Sequence, residues 1–226
     1  MKQHATTFNA EMIRAILDGR KSQTRRIVKL DKGRFVTRRD RHSITCCLMR
    51  DGIGPVWNPH GGAPEQPLPQ EMIEAASPYG QPGDLLWVKE TFADTKGMGF
   101  DNRFYYKEQT QDGSDGDETR KRYGVKWKSP ILMPRKASRI TLKIKDIRVE
   151  RIQDINEEDA LAEGACDPGL KAAYHASDYT EYGDEEEIPG LIKRDFQSFW
   201  NSLHPESWKR NDWVWVISFA RLKEDK

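Results

Sequence analysis

The sequence predicts an α+β fold, on three observations. Apolar segments of strand character fall at the beginning, middle and end of the chain, and amphipathic helical stretches lie between them. The closing segment 212–220, Asp-Trp-Val-Trp-Val-Ile-Ser-Phe-Ala, is apolar on both faces and therefore belongs in the centre of a sheet. A chain of 226 residues has the length of one generous domain, and residues 1–226 read as a single unit in which long loops decorate a common core.

Taken in order, Asn9 is placed to cap a helix over 10–18, with Met12, Ile13, Ile16 and Leu17 on one face and Gly19 as its stop. A short strand follows at 24–30. The segment 31–82 is crowded with Gly and Pro and reads as irregular, apart from a short helix at 70–76. Gly83-Asp84 turns the chain into an apolar strand at 85–92, and 95–124 reads as an exposed insertion. Along 138–149, Ile140, Leu142 and Ile144 alternate with Thr141, Lys143 and Lys145, the period of a half-buried strand. Asn156 caps a helix over 157–163 that Gly164 ends, and 166–187 is an acidic loop. Pro189 opens an amphipathic helix carrying Leu191, Ile192, Phe196, Phe199, Trp200 and Leu203.

Composition excludes several classes. No stretch approaches the roughly 18 apolar residues of a membrane span, and Met1-Lys2-Gln3-His4-Ala5 lacks the apolar run of a secretory signal. Three cysteines, Cys46, Cys47 and Cys166, make no disulfide framework, so a reducing cytoplasm is the expected compartment and no membrane partner is expected. Lys+Arg 37 against Asp+Glu 36 leaves a net charge of only +1, but the charges are segregated. Residues 20–41 hold ten basic side chains against Asp31 and Asp40, and residues 120–139 hold eight with no acid, interleaved with Tyr123 and Trp127. Such stretches suit a phosphate backbone with stacked bases, although charge runs are usually solvated faces.

The turn Gly19-Arg20-Lys21-Ser22-Gln23-Thr24-Arg25-Arg26 carries the strongest chemical signal. Across a turn, Lys21 and Thr24 can converge. A lysine in a dry pocket among other cations loses part of its preference for the charged form and can take a proton from a hydroxyl. A Lys-x-x-Thr turn is also common on ordinary surfaces. Glu163, at the last turn of its short helix, sits where the helix dipole disfavours a further negative charge, which suits an acid/base role; the plain alternative is a solvent-exposed acid. His42, Cys46, Cys47 and His60 can be drawn as a zinc site, but adjacent cysteines are not the usual knuckle, so neither metal nor cofactor is expected. Trp57 and Trp127, in loops, are candidate stacking surfaces. Arg20, Arg25, Arg26, Glu90, Arg122, Arg135 and Arg139 complete the candidate substrate-contacting set.

Read together, the Gly19–Arg25 turn, Gly83-Asp84-Leu85-Leu86-Trp87-Val88, the 140–149 strand, Ala162-Glu163-Gly164 and the closing 213–219 strand resemble the ASCH domain of the PUA-like superfamily. Phe8-Asn9-Ala10-Glu11-Met12, Met133-Pro134-Arg135, Ala137-Ser138-Arg139-Ile140 and Trp213-Val214-Trp215-Val216 are similar to a larger ASCH type common in phages and prophages. The resemblance covers about half of the chain; insertions at about 31–81, 93–130 and 165–205 have no counterpart in the smallest such proteins. It implies a small mixed β-barrel flanked by helices, with a cleft for RNA or a nucleobase, in the cytoplasm of a bacterial host or a phage-infected cell. Small bacterial relatives are amidohydrolases that deacetylate N4-acetylcytidine through a Gly-x-Lys-x-x-Thr turn and a helical glutamate, which implies Lys21, Thr24 and Glu163 as the catalytic set. Arg26 after Arg25 departs from that pattern and bears on what the cleft prefers. The competing expectations are a non-catalytic reader of RNA or modified DNA and, last, a ribonuclease.

Overall fold

The computed structural model describes residues 1–29, 34–38, 44–50, 54–57, 66–96, 104–108, 115–164 and 187–222, and it is an α+β fold built on one five-stranded sheet. The strands are β1 (Gln3–Thr7), β2 (Gln23–Ile27), β7 (Leu85–Lys89), β10 (Thr141–Arg151) and β11 (Trp213–Leu222), in the order β1-β7-β10-β11-β2. β1 runs parallel to β7, and every other pairing is antiparallel. The parallel pair requires a crossover, which α1 (Ala10–Leu17) begins. β1 and β2 are the two edges of the sheet in this pairing order.

The uninterrupted apolar character of β11 has a direct cause: both of its faces are covered. Trp213, Trp215, Ile217 and Phe219 join Phe8, which precedes α1, Ile13 and Ile16 of α1, and Leu142 and Ile147 of β10, in the larger core. Val214 and Val216 point the other way, onto α4 (Glu157–Ala162) and α5 (Glu187–Leu203), where Ile192, Phe196 and Trp200 are buried. At about 1.5–3 kcal/mol for each fully buried large apolar side chain, these two layers fix the strand's register. Slipping it by one residue would exchange the layers' side chains.

β10 holds a bulge. Ile144 pairs with Phe219, but Asp146 pairs with Ser218, so Lys145 is an extra residue in the strand. It re-phases the alternation: Leu142 and Ile144 before it, and Ile147 after it, all enter the same core. Arg148 and Glu150, which uniform alternation would place beside Leu142 and Ile144, instead share the α4–α5 face with their partners Val216 and Val214.

Expectation and structure differ mainly in the loops. The segment read as irregular over 31–82 carries a four-stranded antiparallel sheet, β3 (Arg34–Arg38), β4 (Ile44–Arg50), β5 (Gly54–Trp57) and β6 (Gln66–Pro67), besides the expected helix α2 (Gln70–Ala76). Pro55 and Pro67 inside strands argued against these assignments in the sequence; β6 accommodates its proline at a sheet edge. The expected insertion at 95–124 contains β9 (Phe104–Tyr106), paired with β8 (Phe92–Asp94), and α3 (Asp115–Arg122). Neither β1 nor α6 (Ser207–Arg210) was anticipated. In β1 burial alternates, but the inward residues are His4 and Thr6, both polar, so no apolar alternation marks the strand. No helix of the described residues is long and apolar enough to cross a membrane.

Candidate functional site

The turn between α1 and β2 is held on three sides. Asn9 caps α1, its side chain accepting from the Met12 amide at 2.8 Å, and Gly19 leaves the helix at φ 74°, a left-handed conformation that glycine adopts without penalty. Beyond it the Lys21 amide donates to the Ala15 carbonyl at 3.0 Å and the Ser22 amide to the Ala162 carbonyl at 2.9 Å, while the Ser22 carbonyl accepts from the Phe219 amide at 2.8 Å. These bonds stitch the end of α4 to the start of β2. α4 is itself capped by Asn156, which accepts from the Asp159 amide at 2.8 Å. Gly164 follows at φ 70°, and a Cβ there would stand 2.9 Å from the Lys21 Cβ and 3.0 Å from that of Ala15. The close approach places Glu163 against Lys21, 142 residues away in sequence.

Lys21 Nζ donates to Glu163 Oε2 at 2.6 Å and to the Glu163 carbonyl at 2.9 Å, and the side chains are 0% and 2% exposed. Glu163 Oε1 accepts from Arg25 Nη1 at 3.2 Å. Arg25 lies on the α4–α5 face of β2, with no exposed side-chain surface and its guanidinium 5.7 Å from the Phe196 ring centre. Its Nη2 donates to Glu150 Oε1 at 2.5 Å and to Asp159 Oδ2 at 2.8 Å. Arg148 bonds the same two carboxylates, Glu150 Oε2 at 3.0 Å and Asp159 Oδ2. Three cations and three carboxylates thus form one network, and Glu163 is its link to Lys21.

Burial pulls the Lys21 ammonium below the usual lysine range; Glu163 opposes this, and the Arg26 and Arg25 charges reinforce it. Burial also works against the Arg25 cation, but Glu163, Glu150 and Asp159 prevail and hold it above its ordinary value. For Arg26 burial dominates and lowers the value. A lysine held closer to neutrality beside a carboxylate is chemically a proton-transfer pair.

Thr24 is 1% exposed, and its Oγ1 has no hydrogen-bond partner among the described residues. Strand alternation places it with Arg26 on the face of the larger core, opposite Ile217 and Trp215. Arg26 is half-buried there, 5.2 Å from the Phe8 ring, and its Nη2 donates to the Thr7 carbonyl at 2.7 Å. Arg20 stands beside the same turn, bonded to Asp18 at 3.0 Å and to the Gly164 carbonyl at 3.3 Å. A cavity of about 340 Å³ opens farther along β2, lined by Val28, Lys29, Ala76, Pro78, Tyr79 and Trp215 among others. It adjoins Arg26, whose cross-strand partner Trp215 lines it.

The other sequence candidates lie apart from this turn. Glu90 is fully buried, and Arg139 clasps both its oxygens at 2.9 and 2.8 Å while stacking 4.2 Å from the Tyr106 ring centre. Arg135 bonds Gln3 at 2.9 Å and Thr141 at 3.3 Å. Arg122 is exposed at the end of α3. One face of Trp127 is met by Arg120 at 4.7 Å. Trp57 belongs to β5 rather than to a loop, and its side chain lies outside the described residues.

The sequence reading missed Glu150, Asp159 and Arg148. Asp159 lies on the helix that drew attention for Glu163, but the bulge that redirects the other two leaves no local mark. Cys46 and Cys47 fall in β4, while His42 and His60 lie outside the described residues. Among the described residues no group of three or more His, Cys, Asp or Glu is placed to hold a metal ion. With the geometry in hand, comparison of the chain with protein-family models, with curated proteins and with solved structures yields no match.

Proposed function

We propose that this chain is a PUA-like domain of ASCH type that hydrolyses the amide of an acylated nucleobase, as in N4-acetylcytidine. The observation that carries the reading is the buried 2.6 Å contact between Lys21 and Glu163. The resemblance singles out that amine and that carboxylate, and they meet across 142 residues of chain. The barrel the resemblance implies gains support from the Arg26–Thr7 bond, which draws the two edge strands toward each other at one end.

In this reading Lys21, lowered by burial, first passes a proton to Glu163 across their contact, and the neutral amine then accepts one from the Thr24 hydroxyl or from a water that Thr24 orients. Attack by the resulting hydroxide on the amide carbonyl, with Glu163 giving its proton to the departing amine, yields acetate and the free nucleobase amine; where the Thr24 oxygen attacks instead, the acetyl group rests on Thr24 until a water, deprotonated by Lys21, releases it as acetate. Arg26, on the face of Thr24, steadies the developing oxyanion. Arg25, with both terminal nitrogens committed to carboxylates, positions Glu163 and does not touch substrate. Mass spectrometry of an acylated-nucleoside panel with wild type and Lys21→Ala tests the reading. Turnover by wild type and its loss in the variant are expected; equal turnover in both, or none in wild type, refutes it.

A non-catalytic reader of RNA or modified DNA is the second reading, favoured by exposed Arg122 on the acid-free stretch 120–139. It predicts salt-dependent oligonucleotide binding that weakens on mutating Arg122 and Arg135, with no product formed.

A further inference from the structure

The three groups on which the proposed chemistry rests have no surface open to water. The Lys21 and Glu163 side chains are 0% and 2% exposed, and the Thr24 hydroxyl is buried. A substrate reaches them only after part of the fold moves. Thr24 and Arg26 belong to β2, one edge of the main sheet, and Arg26 is bonded to the carbonyl of Thr7 at the end of β1, the other edge. The next residue, Phe8, fills the seam so formed. It is 3% exposed, with its ring centre 5.2 Å from the Arg26 guanidinium, 6.0 Å from Lys21 Nζ and 6.2 Å from the Phe219 ring centre. Two cations at that range attract the ring, and Ile13, the residue that an apolar side chain just before a helix cap staples, shares its core. The Phe8 backbone is freer than its ring. Thr7 pairs with Lys89 and the Asn9 carbonyl accepts from the Ile13 amide at 3.0 Å, but among the described residues no backbone hydrogen bond holds Phe8 between them.

We propose that Phe8 is a plug seated where the substrate's ring goes, and that the seam between β1 and β2 opens to admit the substrate as Arg26 releases the Thr7 carbonyl. The closed form is the resting one, because the ring is buried and cations flank it. Opening exchanges one planar ring for another. Phe8 turns out about its unbonded backbone, and the substrate's base enters between Lys21 and Arg26, where carbonyl oxygens meet those cations better than a benzene face does. Arg26 suits the exchange, since its bond to Thr7 is to a neutral acceptor and burial works against its charge. Only the open fraction binds, so the plug weakens apparent affinity in proportion to the time it stays shut. This rests on the hydrolase reading above and adds to it the residue that controls entry.

The test labels amines in the free protein, with turnover measured beside it. Wild type, Phe8→Ala, Phe8→Leu and Leu142→Ala, which hollows the same core on the central strand β10, are methylated with formaldehyde and dimethylamine-borane. Each lysine is then followed by peptide mass spectrometry. In wild type Lys21 is expected to react more than about tenfold more slowly than Lys209, whose side chain is 83% exposed. Phe8→Ala is expected to raise the Lys21 rate by about tenfold with Lys209 unchanged, Phe8→Leu to raise it less, and Leu142→Ala to leave Lys21 protected. With N4-acetylcytidine, Phe8→Ala is expected to lower KM by about tenfold and to keep kcat within about twofold. Should Phe8→Ala fail to fold, Phe8→Leu carries both measurements. Wild-type protection of Lys21 in the folded Phe8 variants, equal exposure in Leu142→Ala, a wild-type Lys21 as reactive as Lys209, or an unchanged KM overturns the proposal. Lys21 uncovered by the Phe8 variants in a protein that hydrolyses nothing keeps the plug and removes the hydrolase; unchanged labelling with turnover by wild type does the reverse.

Discussion

Replacing Glu163 by Gln keeps the shape of the side chain and an acceptor oxygen for Lys21 but deletes the carboxylate. Arg25 retains Glu150 and Asp159, whereas Lys21 loses its one carboxylate and keeps only neutral acceptors, the amide oxygen and the backbone carbonyl of residue 163. Removing one partner of a buried pair typically costs about 3–5 kcal/mol, and the protonation chemistry of Lys21 sets a ceiling. The variant can always fold with the amine neutral, and taking that proton off at pH 7 from an ordinary value of 10.5 spans 3.5 pH units. At about 1.36 kcal/mol per unit, the loss at pH 7 is at most about 5 kcal/mol. By pH 9 the same limit falls to about 2 kcal/mol. Urea unfolding of wild type and Glu163→Gln at pH 7, 8 and 9 therefore shows a destabilisation that shrinks as pH rises. A loss under about 1 kcal/mol at pH 7, or one indifferent to pH, would falsify the claim that Glu163 holds a buried ammonium.

Three further outcomes follow from the same geometry. Thr24→Val removes a buried hydroxyl without a partner among the described residues, so stability stays level or rises by about 1 kcal/mol, while turnover of N4-acetylcytidine falls by about 10²-fold or more; melting curves and kinetics that move together would make Thr24 merely structural. Gly164→Ala puts a Cβ 2.9 Å from that of Lys21 at φ 70° and is expected to lose about 2–4 kcal/mol, read as a lower urea midpoint; an unchanged midpoint contradicts the tight seam between α4 and the turn. Because native Lys21 is lowered, the unfolded chain binds that proton more tightly, and this residue's contribution to stability rises with pH from the lowered native value up to 10.5. The stability difference between wild type and Lys21→Met should climb across that window, and a flat difference excludes the lowered value.

What the sequence made legible was whatever local periodicity encodes. β11, α1 and α4 with their Asn9 and Asn156 caps were readable because burial on one or both faces and side-chain capping leave signatures within a few residues. The second sheet, β3 to β6, was hidden by its own glycines and prolines, and β1 by the polar character of its inward residues His4 and Thr6. Lys21 and Glu163 were nameable from motif and resemblance, but their contact depends on Gly164, whose lack of a side chain matters only once α4 lies against the turn. Arg25 stood out as a cation near the motif. Its burial among three carboxylates depends on α4 and β10, more than a hundred residues downstream, and no window along the chain contains them together.

Lys145 illustrates how little need separate a plain strand from a functional one. Glu150 reaches Arg25, and Arg148 reaches Asp159, because one surplus residue shifts the phase of the rest of β10, so the protein's internal charge pattern is written partly in chain length. Substitutions at 145 would leave that message intact, since it is the residue's presence that counts. Relatives of this chain would then betray a lost anchor by a gap at this point in their alignment, even where every acidic and basic letter was retained.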